Sequence, residues 1–178
     1  ANPAQAEQFY QEALDNNYPF AAVRLGYMYE DGLVGEVDAE KARAHFEIAA
    51  NADLAEGIYQ FARCNRYGIG GAEDRALAFE LFEKALEYGY NDANVDLALA
   101  YEEGSGGVEE NAVKAVEYMT TAAEIGFSYA QYKLGCYYLY AYGLEKDLEL
   151  AKYWLEKARE NGSALAMLTL GDYYLYGY

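Results

Sequence analysis

Apolar residues recur along this chain at helical spacing, and the same pattern returns at a nearly constant interval. Ala42, Phe46 and Ala49 occupy positions i, i+4 and i+7, which form a stripe on one face of a helix rather than the alternation of a strand. A leucine-glycine pair at Leu25 returns, with conservative changes, at 61, 97, 134 and 170, at intervals of 36, 36, 37 and 36 residues. An interval that is fixed over the whole chain indicates a solenoid of helical repeats.

Each repeat is predicted to contain two helices. The residues that precede the second helix are short hydrogen-bond acceptors suited to an N-cap: Asp38, Asp74, Asn111 and Asp147. The residue that follows it is glycine in three repeats (Gly89, Gly126 and Gly162) and Asp53 in the other, where a left-handed conformation would end the helix. Glycine also recurs inside the first helix, and this indicates that a neighbouring helix passes too close for a side chain.

The pattern predicts ten helices: a lone second helix over 5–16, four pairs, and a lone first helix over 164–176. As a domain, this is one repeat array over 1–178, with a half-unit 1–17, repeats 18–53, 54–89, 90–126 and 127–162, and a half-unit 163–178. The last helix ends in YYLYGY, and no second helix follows it to cover its apolar face. We therefore expect Tyr173, Tyr174, Leu175 and Tyr178 to be exposed, and the chain either to self-associate through this helix or to be covered by another helix in a longer protein.

The combined motif A-x-x-x-L-G-x-x-Y-x-x-G, D-x-x-K-A, Y/W-F-x-x-A-A-x-x-G resembles the Sel-1-like repeat of the tetratricopeptide-like superfamily. The residues that carry it in one repeat are Ala130, Leu134, Gly135, Tyr138, Asp147, Ala151, Trp154, Leu155, Ala158 and Gly162. The resemblance implies an all-α fold, a right-handed α-α superhelix, that serves as a scaffold or adaptor for other proteins. The tetratricopeptide repeat itself fits less well because its period is 34. Asn65 at the tyrosine position and Asp53 at the glycine position depart from the pattern, so the local packing is expected to differ there.

Charge and composition narrow the classes of partner. The net charge is −17 with only 13 Lys and Arg residues, which argues against nucleic acid and anionic membranes and favours a protein or peptide with basic character. No apolar run reaches the length of a membrane-spanning helix, and no signal peptide is visible, so a cytoplasmic and an exported location both stay open.

The sequence offers little catalytic or metal-binding chemistry, and we expect no cofactor, no metal and no catalytic residue. His45 is the only histidine, and its position is taken by Leu81, Tyr118 and Trp154 elsewhere, as in a packing position. The glycine-rich loops at 68–71 and 104–107 lack the Gly-Lys-Ser/Thr ending of a phosphate loop. Four glutamates surround the loop at 102–111, which fits a solvated acidic cluster better than a calcium site. Cys64 and Cys136 lie two repeats apart and are expected to be free thiols.

Two alternatives to a binding scaffold stay open. Cysteine-rich members of the family resemble penicillin-binding hydrolases, but none of Ser105, Ser128 and Ser163 has Lys three residues later, as that chemistry requires. The chain could also be a structural spacer within a longer repeat protein.

A partner-binding groove is predicted on the first helices, which usually line the concave face of such solenoids. Its positions change in chemistry from repeat to repeat, as a surface that contacts different parts of a partner would, although drift of an unconstrained surface explains the variation equally well. The predicted groove residues are Arg24, Tyr27, Asp31, Gln60, Arg63, Tyr67, Asp96, Leu99, Glu103, Lys133, Tyr140, Thr169, Asp172 and Tyr176.

Overall fold

A computed structural model describes residues 1–177, and this part of the chain is all-α. Its ten helices are α1 (Pro3–Asp15), α2 (Phe20–Glu30), α3 (Ala39–Asn51), α4 (Ala55–Tyr67), α5 (Arg75–Glu87), α6 (Ala93–Glu103), α7 (Ala112–Ile125), α8 (Ser128–Tyr140), α9 (Leu148–Glu160) and α10 (Ala164–Tyr176). The even-numbered helices are the first members of the predicted pairs, and the odd-numbered helices are the second members. The predicted helix-turn-helix repeat of about 36 residues is therefore confirmed.

The second helices all begin at a side-chain cap. Asp38, Asp74, Asn111 and Asp147 each accept a hydrogen bond from the backbone N–H three residues later, at 2.9–3.0 Å. Such a cap stabilises a helix by about 1 kcal/mol. Asn2 does the same for Gln5, and α1 consequently begins at Pro3, two residues before the predicted start.

The second helices also end in the predicted way. Gly89, Gly126 and Gly162 have φ of +87°, +112° and +84°. Asp53 takes the same left-handed conformation with φ of +56°, and Asn17 does so after α1 with φ of +62°. Asn and Asp tolerate this region better than most residues, which explains how the turn forms without glycine.

The chain forms two compact units, residues Ala1–Ala93 and the residues from Asn94 onward, and each has its own core. In unit 1, Ala42, Phe46 and Cys64 form one buried cluster and Ala22, Val23 and Ala49 form another. A Cβ atom on Gly26 would overlap the ring of Phe46, so glycine is needed for α2 and α3 to approach this closely.

Asn65, which departs from the tyrosine pattern, is fully buried in unit 1, and its polar atoms are satisfied. Its Nδ2 donates to the carbonyl of Phe61 at 2.8 Å, and its Oδ1 accepts from the Arg43 guanidinium. Arg43 also donates to the carbonyl oxygens of Cys64 and Ile69. The substitution therefore replaces an aromatic contact with a hydrogen-bonded pair that holds the loop after α4.

In unit 2, the core is built around Met119, Leu134 and Leu155, all fully buried. A Cβ atom on Gly135 would lie 2.7 Å from Leu155 Cγ, which confirms the close helix approach that glycine indicated in the sequence. At Gly171, the equivalent position of α10, no described atom lies within 4 Å of a Cβ atom.

The prediction for the end of α10 was partly wrong. Tyr174 and Leu175 are 62% and 72% exposed, as expected, but Tyr173 is only 7% exposed. Tyr173 is buried because it packs in a cluster with Leu139 and Ala151 of the preceding pair. Tyr178 lies outside the described residues.

Candidate functional site

The predicted groove residues of unit 1 differ widely in exposure. Arg24, Asp31 and Tyr67 are exposed, Tyr27 and Arg63 are half-buried, and Gln60 is buried at 5% exposure. The groove was predicted as a surface, and the burial of Gln60 departs from that expectation. Three of these residues, Tyr27, Gln60 and Arg63, lie together on the facing sides of α2 and α4.

These three residues belong to a polar network that joins α2 to α4. The Tyr27 hydroxyl donates to Glu56 Oε1 at 2.9 Å and accepts from Gln60 Nε2 at 2.7 Å. Gln60 Oε1 in turn accepts from Arg63 at 2.6 Å, and Arg63 lies 3.7 Å from the carboxylate of Glu30. Each side chain is held by at least one other, so the geometry of this surface is fixed before any ligand binds.

The Tyr27 hydroxyl keeps its proton throughout the neutral pH range. Burial raises the pKa of Tyr27 far above its usual 10, and the hydrogen bond to the Glu56 carboxylate raises it further. Tyr27 is therefore a permanent hydrogen-bond donor to Glu56.

Next to this network lies an apolar trough that sequence reasoning missed. One cavity of about 430 Å³ is lined by Phe20, Val23, Asp53, Leu54, Ala55, Glu56, Tyr88 and Tyr90. A second cavity of about 390 Å³ shares Phe20, Val23 and Glu56 with the first and adds Tyr10, Ala13, Tyr18, Ala21 and Arg24. We call the first of these two cavities the Glu56 trough. Its rim is aromatic, since Phe20 and Tyr88 are about half exposed.

One row of positions that contributes to the trough could have been found from the sequence by the criterion that gave the groove. The position of Phe20 changes to Glu56, Asp92, Tyr129 and Leu165 in the other repeats, which is as varied as any groove position. It lies at the start of the first helices, whereas the predicted rows follow their middle and end.

In unit 2 the predicted groove residues also divide by burial. Asp96 is buried, Leu99, Lys133 and Thr169 are half-buried, and Glu103, Tyr140, Asp172 and Tyr176 are exposed. The burial of Asp96, like that of Gln60, contradicts a surface position.

Lys133 is occupied by contacts within unit 2. Its ammonium group donates to both oxygens of Glu102, at 2.7 and 2.9 Å, and lies 5.3 Å from the centre of the Tyr137 ring. The Tyr137 hydroxyl also donates to Glu102, at 2.6 Å. Burial raises the pKa of Tyr137, and Glu102 raises it further, so the phenol stays a donor. This cluster has its charges paired and resembles a packing element more than an open site.

The histidine and the two cysteines singled out in the sequence lie in packed surroundings. The ring of His45 stacks on Tyr29 with centroids 5.4 Å apart, and its buried Nδ1 has no hydrogen-bond partner among the described residues. Burial lowers the pKa of His45; Lys41 lowers it further, while Glu7 opposes the shift. Both cysteines are free thiols, and burial raises the pKa of Cys64 to about 11.

Two kinds of feature are absent from residues 1–177. No group of three or more His, Cys, Asp or Glu side chains is placed to hold a metal ion. No helix in this part of the chain has the length and apolar character needed to cross a bilayer.

Comparison with known proteins agrees with the repeat geometry. The family model described as Sel1 repeat matches residues 1–18, 19–54, 55–90, 91–127 and 128–163. The chain belongs to the Sel1 repeat family. A Sel1 repeat protein from Oxalobacter formigenes has a similar structure, with a TM-score of 0.88 and 31% sequence identity, and the match covers 97% of this chain and 70% of that one.

Other Sel1 repeat proteins match over a smaller share of their own length. The protective antigen c5321 of uropathogenic Escherichia coli, which displays the same repeat fold, matches with a TM-score of 0.87 and 27% identity over 98% of this chain and 37% of that one. An uncharacterized protein of Neisseria meningitidis serogroup B is 28% identical over 80% of this chain and 37% of its own length. The chain thus spans little more than a third of that curated relative. Sel1 repeats typically mediate protein interactions.

Proposed function

We propose that this Sel1 repeat chain is a non-enzymatic scaffold or adaptor that binds a segment of another protein across the first helices of unit 1. The observation that supports this most is the continuity of the Glu56 trough with the polar network of Tyr27, Gln60 and Arg63, since Glu56 belongs to both. The partner has basic character, in keeping with the net charge of −17.

The composition of this surface suits protein recognition. Aromatic and arginine side chains are the types that dominate binding energy at protein interfaces. Phe20 and Tyr88 supply exposed aromatic area at the trough, and the neighbouring network supplies fixed hydrogen-bonding groups. Groups held in place beforehand lose little conformational freedom on binding, which favours affinity.

A peptide-display selection tests this proposal without knowledge of the natural partner. A library of random peptides is selected on the 178-residue chain, and the enriched peptides are then measured against Phe20→Ala/Tyr88→Ala. A matched control, Tyr153→Ala, removes an exposed tyrosine of α9 in unit 2. We expect peptides that bind the parent and the control but lose at least tenfold in affinity for the trough variant. Failure to enrich any peptide, or equal affinity for all three proteins, would contradict the proposal.

The non-enzymatic part of the proposal has its own test against the hydrolase alternative. Pure protein incubated with the chromogenic β-lactam nitrocefin should give no turnover above buffer. Sustained turnover that follows the protein through purification would overturn it.

A second proposal is that the exposed face of α10 binds another copy of this chain. Gly135 packs against Leu155 of the following helix, whereas no described atom comes within 4 Å of a Cβ atom at the equivalent Gly171. Leu168 and Leu175 on the same helix are about 70% exposed. In the 178-residue chain, the α1 helix of a second copy has the register of a second helix, and it would fit this face.

Sedimentation velocity over a hundredfold range of concentration measures this association. The parent should shift from monomer toward larger species as concentration rises, and Leu175→Glu should stay monomeric. Leu33→Glu, at an exposed leucine of the α2–α3 loop, is the control and should behave like the parent. A parent that is monomeric at every concentration rules the association out.

A further inference from the structure

The Glu56 trough contains a carboxylate whose charge no described residue balances. Its walls are the apolar side chains of Val23 and Leu54 and the aromatic side chains of Phe20, Tyr88 and Tyr90. Asp53, the other acidic residue of the trough, is already paired with Lys84 at 2.7 Å. Glu56 is therefore the one carboxylate of the lining whose charge no described residue pairs.

The hydrogen bonds of Glu56 leave one of its oxygens available. Oε1 accepts from the Tyr27 hydroxyl, which Gln60 holds in place, whereas Oε2 accepts no hydrogen bond from any residue that the structure describes. Arg63 is held by Gln60 and Glu30, and Arg24, although it lines the adjoining cavity, forms no salt bridge with Glu56. The carboxylate is thus held in position from one side and free on the other.

A fixed carboxylate between aromatic walls suits one kind of ligand group. Removing a charge partly from water is unfavourable unless a counter-charge pairs with it, so a bound cation would satisfy Glu56. Lysine and arginine side chains also carry apolar stems that pack on hydrophobic walls, and their charged groups are attracted to aromatic faces. A neutral or acidic group would leave Glu56 unpaired or repel it.

We propose that Glu56 is a specificity-determining residue that pairs with a lysine or arginine side chain of the bound segment, next to an apolar side chain that fills the trough. This inference rests on the proposed function, because it names the chemistry of the segment that the same surface binds. The Tyr27 hydroxyl is the positioning group, since it fixes the carboxylate without contacting the ligand.

Two labelled peptides that differ in one charge test the inference by fluorescence polarisation. Both have a core of leucine, a variable residue and phenylalanine, flanked by glycine and serine, and the variable residue is lysine in one and uncharged norleucine in the other. The proteins are the parent, Glu56→Gln and Glu80→Gln. Glu80 is an exposed residue of α5, so its replacement removes the same charge from the same unit. Glu56→Gln keeps an oxygen that can accept from Tyr27, and its melting temperature is measured alongside.

We expect the lysine peptide to bind the parent and Glu80→Gln at least tenfold more tightly than the norleucine peptide. With Glu56→Gln this preference should fall to about twofold or less. In a charge exchange, Glu56→Lys should prefer a third peptide in which glutamate replaces the lysine, and this readout does not depend on the glutamine variant folding.

The results that would overturn the inference are distinct from failure of the proposed function. A preference for lysine that persists in Glu56→Gln, or that Glu80→Gln loses to the same extent, contradicts a role for Glu56. If display-selected peptides depend on Phe20 and Tyr88 but not on Glu56, the inference fails while the proposed function stands. If neither the selected nor the designed peptides bind the parent, both fail.

Discussion

Alanine should have different effects at the same glycine position of two successive repeats, Gly135 and Gly171. In Gly135→Ala, the new Cβ atom would lie 2.7 Å from Leu155 Cγ and 3.1 Å from the Ala151 carbonyl oxygen. In Gly171→Ala, the new atom meets nothing within 4 Å among the described residues. Both glycines lie inside a helix, at α8 and α10, so the change in helix propensity is common to the two variants.

The magnitude follows from two opposing contributions. Replacing glycine by alanine inside a helix stabilises the folded protein by up to about 1 kcal/mol. Overpacking a closed contact costs about 1–3 kcal/mol, and the backbone oxygen of Ala151 limits how far the structure can relax. Gly171→Ala should therefore raise the free energy of unfolding by up to about 1 kcal/mol. Gly135→Ala should lie about 1–3 kcal/mol below Gly171→Ala, because the propensity gain cancels in the comparison.

Urea denaturation followed by far-ultraviolet circular dichroism measures both variants under one set of conditions. A double-mutant cycle with Leu155→Ala isolates the contact with the leucine, since Gly135→Ala should be less destabilising once that side chain is absent. If the two glycine variants stabilise the protein equally, or if the cycle shows no coupling, the close packing described for Gly135 and Leu155 is wrong.

Three further predictions concern single side chains. Leu134→Ala should lower the free energy of unfolding by roughly 2–5 kcal/mol because the side chain is fully buried, and a loss below about 1 kcal/mol in urea denaturation would contradict that position. Burial lowers the folded-state pKa of His45 from 6.5. The contribution of the neutral ring to the free energy of unfolding is therefore fully present above pH 6.5, and it is lost as pH falls through the lowered pKa. His45→Leu should remove this decline, and stability curves of parent and variant that run parallel between pH 5 and about pH 8 would refute the assignment. Glu102→Ala should lower the free energy of unfolding by about 1–3 kcal/mol, because it leaves the Lys133 ammonium and the Tyr137 hydroxyl without their acceptor. The same variant should lower the pKa of Tyr137, which an absorbance titration measures.

The departures from the repeat pattern show where sequence reasoning is limited. Asn65 occupies a tyrosine position and is buried. Arg43, 22 residues earlier, donates the hydrogen bond that makes a buried asparagine tolerable, and no residue in the repeat of Asn65 indicates this partner. Gln60 is an equivalent case: its helical position predicts exposure, yet it is buried, and its Nε2 donates to the Tyr27 hydroxyl of α2. In both cases, the partner belongs to a different helix, so the period alone does not reveal it.

The sequence by itself determined the local and periodic features of this protein. These features depend on residues within one repeat, and they recur from repeat to repeat. Examples are the cap at Asp38, the left-handed turn at Gly126 and the close contact at Gly135. Only the tertiary structure decided which polar side chains pair between α2 and α4 and which stay unpaired. The Glu56 trough exists because residues from α2, α4 and the turn after α5 meet there, and such long-range proximity is set by packing rather than by the pattern of any one segment.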